Sequence, residues 1–309
     1  MVSVQALALL AAGTVLLYVG AELLVAAAGN IARGLGLRAA TVGVTVVALV
    51  TTAPELVVAT VGVVTVSTDI GLGMVIGSNV ANIGLVLGIA AVIRPLEISD
   101  AVWRRHVPFM VLAAVLLALV SLNGEITRID GVVLLGVLAG FTGVLLVGIR
   151  TQTAMLPETP GSLSVRDGAY AVGGLVALYL GSRWLIDGGH SLLAGLGVSD
   201  LVIGLTVIAL GTALPELAAS AIGAARGHAE FAVGNVVGSN IYNVLAVVGI
   251  LALAVPIPVD PGTLRVEFPI LIGFTLLLVV LMGRDRRLDR SDGVVLLIAY
   301  AGFLAILFT

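Results

Sequence analysis

Four stretches of this 309-residue chain carry no charged side chain over about a bilayer's thickness or more. They run from Met1 to Ala21, from Ile70 to Ile93, from Gly131 to Ile149 and from Phe231 to Val259. An α-helix crosses the hydrocarbon layer in roughly 20 residues. Within that layer each backbone polar group must find its partner inside the protein. These runs therefore point to a bundle of membrane-spanning helices. The charged fraction agrees, at 11%, where soluble domains carry about a quarter. The chain has no cysteine, which excludes disulfide and thiol chemistry.

Ten spans fit the pattern, at about 4–27, 38–64, 71–94, 107–123, 131–149, 168–188, 200–225, 231–256, 266–283 and 292–308. Residues 1–21 lack a basic leader and a cleavage signal, and they have a counterpart in mid-chain. They read as the first span and not as a signal peptide. The longest polar connection, "RTQTAMLPETPGSLSVRD" at 150–167, separates a first five-helix unit at 1–149 from a second at 168–309. All fifteen basic residues are arginine. With both termini outside, twelve of them fall in inner loops and three (Arg128, Arg183, Arg265) outside. The positive-inside rule favours that orientation.

The sequence matches itself at an offset of 161. "VGVTVVALVTTAPEL" (42–56) aligns with "IGLTVIALGTALPEL" (203–217), with nine identities in fifteen. "IGSNVAN" (76–82) aligns with "VGSNIYN" (237–243), and "LYVG" (17–20) with "LYLG" (178–181). Three matches at one offset, with Pro, Glu, Ser and Asn among the shared residues, indicate a duplication. A five-span unit is odd-numbered, so its second copy enters the membrane upside down. The expected fold is an all-α membrane protein of ten transmembrane helices in two inverted-topology five-helix repeats, an architecture of secondary transporters.

Glu55 and Glu216 lie deep in their spans, each directly after a proline. Proline removes a backbone N–H and displaces the carbonyl four residues back. An ionised carboxylate at such depth is costly and marks a functional position. A lone Glu there reads as a protonated or hydrogen-bonded packing residue. Two at one offset, each after a Thr-containing, proline-broken turn, do not. Thr51 and Glu55 share a helix face at i and i+4, with Thr52 beside them. Ser78 and Asn82 repeat that spacing in the next helix, with Asn79 adjacent. The second half supplies Thr212, Glu216, Ser239, Asn240 and Asn243. Every ligand atom on offer is oxygen, which suits Ca²⁺, Mg²⁺ or Na⁺ better than Zn²⁺ or Cu⁺. Two carboxylates balance one Ca²⁺, and a cluster of Na⁺ ions or protons balances them in its absence. That is the logic of competitive antiport.

At these residues the chain resembles the cation/calcium antiporter superfamily, in particular the prokaryotic sodium/calcium exchangers. The family signature G-T-S-x-P-E followed by G-N-x-x-G-S-N-I-x-(N/D) appears here as "GTALPE" and "GNVVGSNIYN". The resemblance implies that Glu55 and Glu216 are shared between Ca²⁺ and Na⁺ sites. It implies that Asn82 and Asn243 line the central site, that Thr51 and Thr212 offer backbone carbonyls, and that Ser78 and Ser239 offer hydroxyls to flanking Na⁺ sites. Thr52 stands for the usual Ser and keeps its hydroxyl. Ala213 has none, so one flanking site loses a ligand. A H⁺/Ca²⁺ or other divalent-cation antiporter is the alternative, and a cation channel a more distant one.

Trp103 and Trp184 read as interface residues. His106, His190 and His228 read as surface residues near span ends, and Glu22, Arg183 and Asp187 as span-end charges. No phosphate-binding loop is apparent, so neither nucleotide nor nucleic acid is an expected partner, and no catalytic constellation or cofactor is expected either. The expected partners are the transported Ca²⁺ and Na⁺, with H⁺ as the alternative, and the lipid bilayer, with the chain acting as a monomer.

Overall fold

A computed structural model describes residues 4–35, 43–52, 55–56, 68–153, 164–195 and 213–307. These form helices joined by short turns. Helix α1 is Val4–Leu35. Helix α2 is a π-helical turn, Gly43–Val47, followed by Ala48–Thr51. Helix α3 joins Thr68–Ala81, a π turn at Asn82–Leu87 and Gly88–Ile93. Strand β1 (Leu96–Glu97) precedes α4, a π turn at Val102–His106 that continues as Val107–Val120. Strand β2 (Glu125–Ile126) leads into α5, Arg128–Thr153.

Helix α6 is Val165–Gly195, and α7 is Leu214–Ala225. Helices α5 and α6 thus both extend into the expected connection. Helix α8 joins Ala229–Tyr242, a π turn at Asn243–Val248 and Gly249–Ala254. Strand β3 (Ile257–Pro258), α9 (Pro261–Arg265 and Glu267–Asp285), β4 (Arg287–Leu288) and α10 (Arg290–Leu307) complete the chain. Among the described residues, six helices are long and apolar enough to cross a membrane: Val4–Ala28, Leu72–Ile93, Val102–Val120, Arg128–Leu145, Ala229–Ala254 and Pro261–Asp285.

Local structure repeats with the sequence. Adding 161 to the π turn at 82–87, the helix at 88–93 and the strand at 96–97 gives 243–248, 249–254 and 257–258. The strands pair across the two halves. Leu96 sits opposite Leu288 and Ile126 opposite Ile257, in antiparallel two-residue ladders. The turns before β2 and β4 also correspond. Gly124 has φ 86° and Arg286 φ 54°, and their carbonyls accept from Val259 N and Ile98 N at 2.8 Å each. The left-handed conformation is free of side-chain conflict for Gly124 and strained for Arg286. The Arg286 guanidinium stacks 3.9 Å from the Trp103 ring centre, a contact that offsets part of that strain.

Helix starts are capped in the same repeated way. Asp130 Oδ2 accepts from Thr127 N at 2.8 Å, and Asp292 Oδ2 from Asp289 N at 2.8 Å. Asp167 Oδ2 accepts from Ser164 N at 3.0 Å, and its Oδ1 from Asn30 Nδ2 at 2.7 Å. The second bond ties the end of α1 to the start of α6. Each carboxylate also sits favourably in a first helical turn.

Helices α1 and α6 meet along a stripe of small residues. A Cβ on Gly20 would lie 2.8 Å from Gly174 O, one on Gly181 2.9 Å from Gly13 O, and one on Gly188 2.9 Å from Ala6 O. Numbers rise along one helix as they fall along the other, so the two run antiparallel. Their backbones touch, as small residues allow in membranes. At the end of α7, Arg226 donates through Nε to Glu22 Oε1 at 3.0 Å, fastening α1 to α7.

His106 corrects the surface reading. It is buried, because α4 begins at Val102 and brings the imidazole edge-on to Phe141, 6.1 Å between ring centres. The sequence-based boundary at 107 left it just outside the span.

The stripe carries a testable consequence. Gly181→Ala pushes a methyl into the α1 backbone and should destabilise by roughly 1–3 kcal/mol, as overpacking does. Gly140, on α5, has nothing within 4 Å of an added Cβ. Gly140→Ala should be neutral or stabilising by about 0.5–1 kcal/mol. Thermal unfolding of the two variants in detergent gives the comparison.

Candidate cation site

The predicted site residues come from four segments: α2 and the turn after it, the middle of α3, the start of α7 and the middle of α8. Gly238 lets α8 close on α2, since an added Cβ there would lie 2.6 Å from Ala48 Cβ and 2.8 Å from Val44 O. Thr51, Thr52, Glu55, Ser78, Asn82, Glu216, Ser239 and Asn243 are all buried. Thr212 lies outside the described residues, as do Pro54 and His190's side chain.

Backbone geometry corresponds at the two glutamates. Leu56 N donates to Thr52 O at 3.2 Å, and Leu217 N to Ala213 O at 2.9 Å. Glu216 stands in the first turn of α7, at the third helical position after Ala213. Unpaired backbone N–H groups there favour negative charge. Both carboxylates are fully inaccessible, at 0% exposure. They lie near enough to act on one another electrostatically. The Thr51 and Ser239 hydroxyls flank Glu216 at the margin of hydrogen-bonding geometry.

The amides link the halves. Asn82 Nδ2 donates to Asn240 Oδ1 at 3.1 Å, and Asn243 Nδ2 to Asn79 Oδ1 at 3.5 Å. These two bonds are images of each other at the offset of 161. Asn82 and Asn243 are the first residues of the two π turns in α3 and α8. A π turn inserts one extra residue into the helical ladder, a distortion concentrated at functional positions.

After these bonds are made, the described residues leave eight buried side-chain oxygens in this region without a hydrogen bond: Thr52 Oγ1, both oxygens of Glu55, Asn82 Oδ1, both oxygens of Glu216, Ser239 Oγ and Asn243 Oδ1. A buried polar atom left unpaired costs about 1–3 kcal/mol, and more when charged. Native proteins keep such atoms rare. A concentration of oxygen atoms with two carboxylates matches what a dehydrated hard cation requires.

Sequence reasoning missed one buried polar chain beside these atoms. Thr51 Oγ1 donates to Val47 O at 3.0 Å and approaches Asn235 Oδ1 at 3.5 Å. Asn235 Nδ2 donates to Ser220 Oγ at 3.2 Å. Asn235 and Ser220 have 0% exposure. Asn235 has Met74 as its counterpart in the first half, so the repeat alone did not single it out. The stretch "GNVVGSNIYN" contains Asn235 as its second residue, and that motif was the available signal.

The fold and these atoms define a membrane protein with a buried cluster of unpartnered oxygens that includes two carboxylates. Comparison with known proteins gives the family. The family description "Sodium/calcium exchanger protein" matches residues 5–147 and 168–309, and the chain belongs to that family. It is a transporter family, so the protein is not an enzyme. The putative antiporter CaxA of Alkalimonas amylolytica is 33% identical, over 96% of this chain and 97% of its own. The sodium/calcium exchanger MaX1 of Methanosarcina acetivorans is 29% identical, over 100% and 99%. The solved structure of the sodium-calcium exchanger NCX_Mj, soaked with zero Na⁺ and Ca²⁺, superposes with a TM-score of 0.86. It shares 29% identity and covers 99% of this chain and 100% of its own.

Because the oxygens lack protein partners, a bound cation should stabilise the fold. With Ca²⁺ at about 100 times its Kd the gain is roughly 2.7 kcal/mol. Melting in detergent should shift upward with Ca²⁺ in the wild type, and Glu55→Gln should remove most of that shift.

Proposed function

We propose that this chain is a secondary-active antiporter that exchanges Na⁺ for Ca²⁺ across a prokaryotic plasma membrane, extruding Ca²⁺. The observation that carries the reading is the set of eight unpartnered buried oxygens around two carboxylates. Glu55 and Glu216 supply two negative charges to one Ca²⁺, or to Na⁺ ions that replace it. Asn82 and Asn243 supply amide oxygens, and Ser78, Thr52 and Ser239 supply hydroxyls. Thr51 offers its carbonyl to the same region, and the repeat assigns the matching role to Thr212, which lies outside the described residues. An empty site leaves two buried charges uncompensated. Crossing between access states is therefore favourable with a cation bound and unfavourable without one, which couples the two fluxes.

The fold in this reading is ten transmembrane helices in two inverted five-helix repeats, 1–149 and 168–309, with both termini outside. The antiparallel course of α1 and α6, the crossed strand pairs and the crossed amide pairs support it. Each of these contacts has an image contact with the roles of the two halves exchanged, as a two-fold axis in the membrane plane produces. Transport needs no further cofactor and no nucleotide.

One observation favours a second reading, coupling to H⁺. Ala213 is buried and presents a methyl group where Thr52 presents a hydroxyl, so one flank of the site has one oxygen fewer for Na⁺.

Uptake of ⁴⁵Ca²⁺ into proteoliposomes under imposed gradients separates the two. An outwardly directed Na⁺ gradient should drive uptake. Uptake driven by a pH gradient and indifferent to Na⁺ would establish the second reading instead. Glu55→Gln and Glu216→Gln should each lower the flux by roughly a hundredfold or more, a loss of about 2.7 kcal/mol or more. The solubilised variants should remain monodisperse. Ala213→Ser should lower the half-saturating Na⁺ concentration, and an unchanged value would show that this flank takes no part in Na⁺ binding.

A further inference from the structure

We propose that Asn79 and Asn240 are positioning residues, which turn the oxygen ends of the Asn82 and Asn243 amides toward the cation. This rests on the cation-site reading above. A carboxamide has two ends of nearly equal size and opposite polarity. Only the oxygen end ligates a cation, and an NH₂ group in its place repels one. Something must therefore fix which end faces the site.

The hydrogen bonds identify it. Asn240 Oδ1 accepts from Asn82 Nδ2 at 3.1 Å, and this occupies the NH₂ end of Asn82. Asn82 Oδ1 is then left buried and without a partner. Asn79 Oδ1 accepts from Asn243 Nδ2 at 3.5 Å with the same result for Asn243 Oδ1, while Asn79 Nδ2 itself is buried without a partner. A flipped Asn82 amide would set its oxygen against Asn240 Oδ1, two acceptors facing each other. Asn240 is itself oriented, since its Nδ2 donates to Asn79 O at 3.4 Å. All four side chains are buried, so water does not compete for these bonds.

Each positioning residue belongs to the opposite half from the amide it orients. The π turns make this possible. Asn82 and Asn243 begin them, while Asn79 and Asn240 stand three residues earlier in regular helix, and the crossing bonds run between α3 and α8. The ligand amide of one repeat is therefore correctly presented only when the other repeat is docked against it. The shorter bond makes Asn240 the stronger of the two positioners.

The experiment measures ⁴⁵Ca²⁺ uptake into proteoliposomes against Ca²⁺ concentration, for the full chain. Asn240→Leu removes the acceptor, and the half-saturating Ca²⁺ concentration should rise roughly tenfold, the factor a buried hydrogen bond carries. The maximal rate should stay within about twofold of the wild type. Asn82→Ala should raise half-saturation similarly, and Asn240→Leu added to it should raise it no further, because Asn240 acts through Asn82. An unchanged half-saturation in Asn240→Leu would overturn the assignment. So would a double variant whose effect is the product of the two single effects. Asn240→Asp keeps the accepting oxygen and should bind Ca²⁺ no more weakly than the wild type. It decides the matter if the Leu variant does not fold, since a tenfold weakening in the Asp variant also overturns the assignment. A wild type without saturable Ca²⁺ uptake would overturn the exchange reading itself, whereas normal wild-type uptake with indifferent Asn240 variants overturns this assignment alone.

Discussion

Two carboxylates with no accessible surface and no hydrogen bond set the terms for the rest of the molecule. Glu55 and Glu216 are both buried among unpartnered oxygens. Among the described residues no arginine acts on either carboxylate, and apart from Arg183, exposed within α6, the arginines of known placement stand near helix ends and turns. A protein that buries like charges this way needs a counter-charge from outside the chain. The surrounding atoms are chosen accordingly, as amide and hydroxyl oxygens without partners, held on helices that touch closely enough to exclude water. In the proposed exchange the neutral amides add ligand oxygens without adding charge, so that a divalent cation, or its monovalent replacements, completes the balance.

Holding that arrangement in place falls to contacts between the two halves that recur as image pairs. Backbone meets backbone along α1 and α6 because Gly13, Gly20, Gly174 and Gly181 have no side chains to part them. Two-residue strands join Leu96 to Leu288 and Ile126 to Ile257. At the centre, the same relation brings Asn82 to Asn240 and Asn243 to Asn79. Packing and ligand geometry thus come from one relation between the halves. The departures from it are the informative positions: Ala213 opposite Thr52, Met74 opposite Asn235, and Arg286 in the strained turn where Gly124 fits without strain.

Much of this was legible in the sequence. Runs without charge gave the membrane helices, because lipid penalises any exception. The offset of 161 singled out the glutamates, since a carboxylate buried after a proline is too costly to recur without a use. The π turns were not legible. An extra residue in a helix leaves no mark where every neighbour is apolar, and the ladder shifts without any change of pattern. The crossed amides were not legible either, because they depend on how the halves face one another. Asn79 and Asn240 were visible as polar neighbours of the site, but nothing in their spacing told which amide each would meet. His106 was misplaced for a simpler reason: α4 starts five residues earlier than hydropathy suggested, and Phe141 covers the ring.

In the proposed exchange one set of carboxylates serves both ions in turn. Calorimetric titration of the purified protein with Ca²⁺ at increasing Na⁺ concentrations tests it most directly. Shared carboxylates require the apparent Ca²⁺ Kd to rise steeply and without limit as Na⁺ increases, with the number of Ca²⁺ sites unchanged. A Ca²⁺ Kd that is indifferent to Na⁺, or that levels off while both ions stay bound, would contradict it.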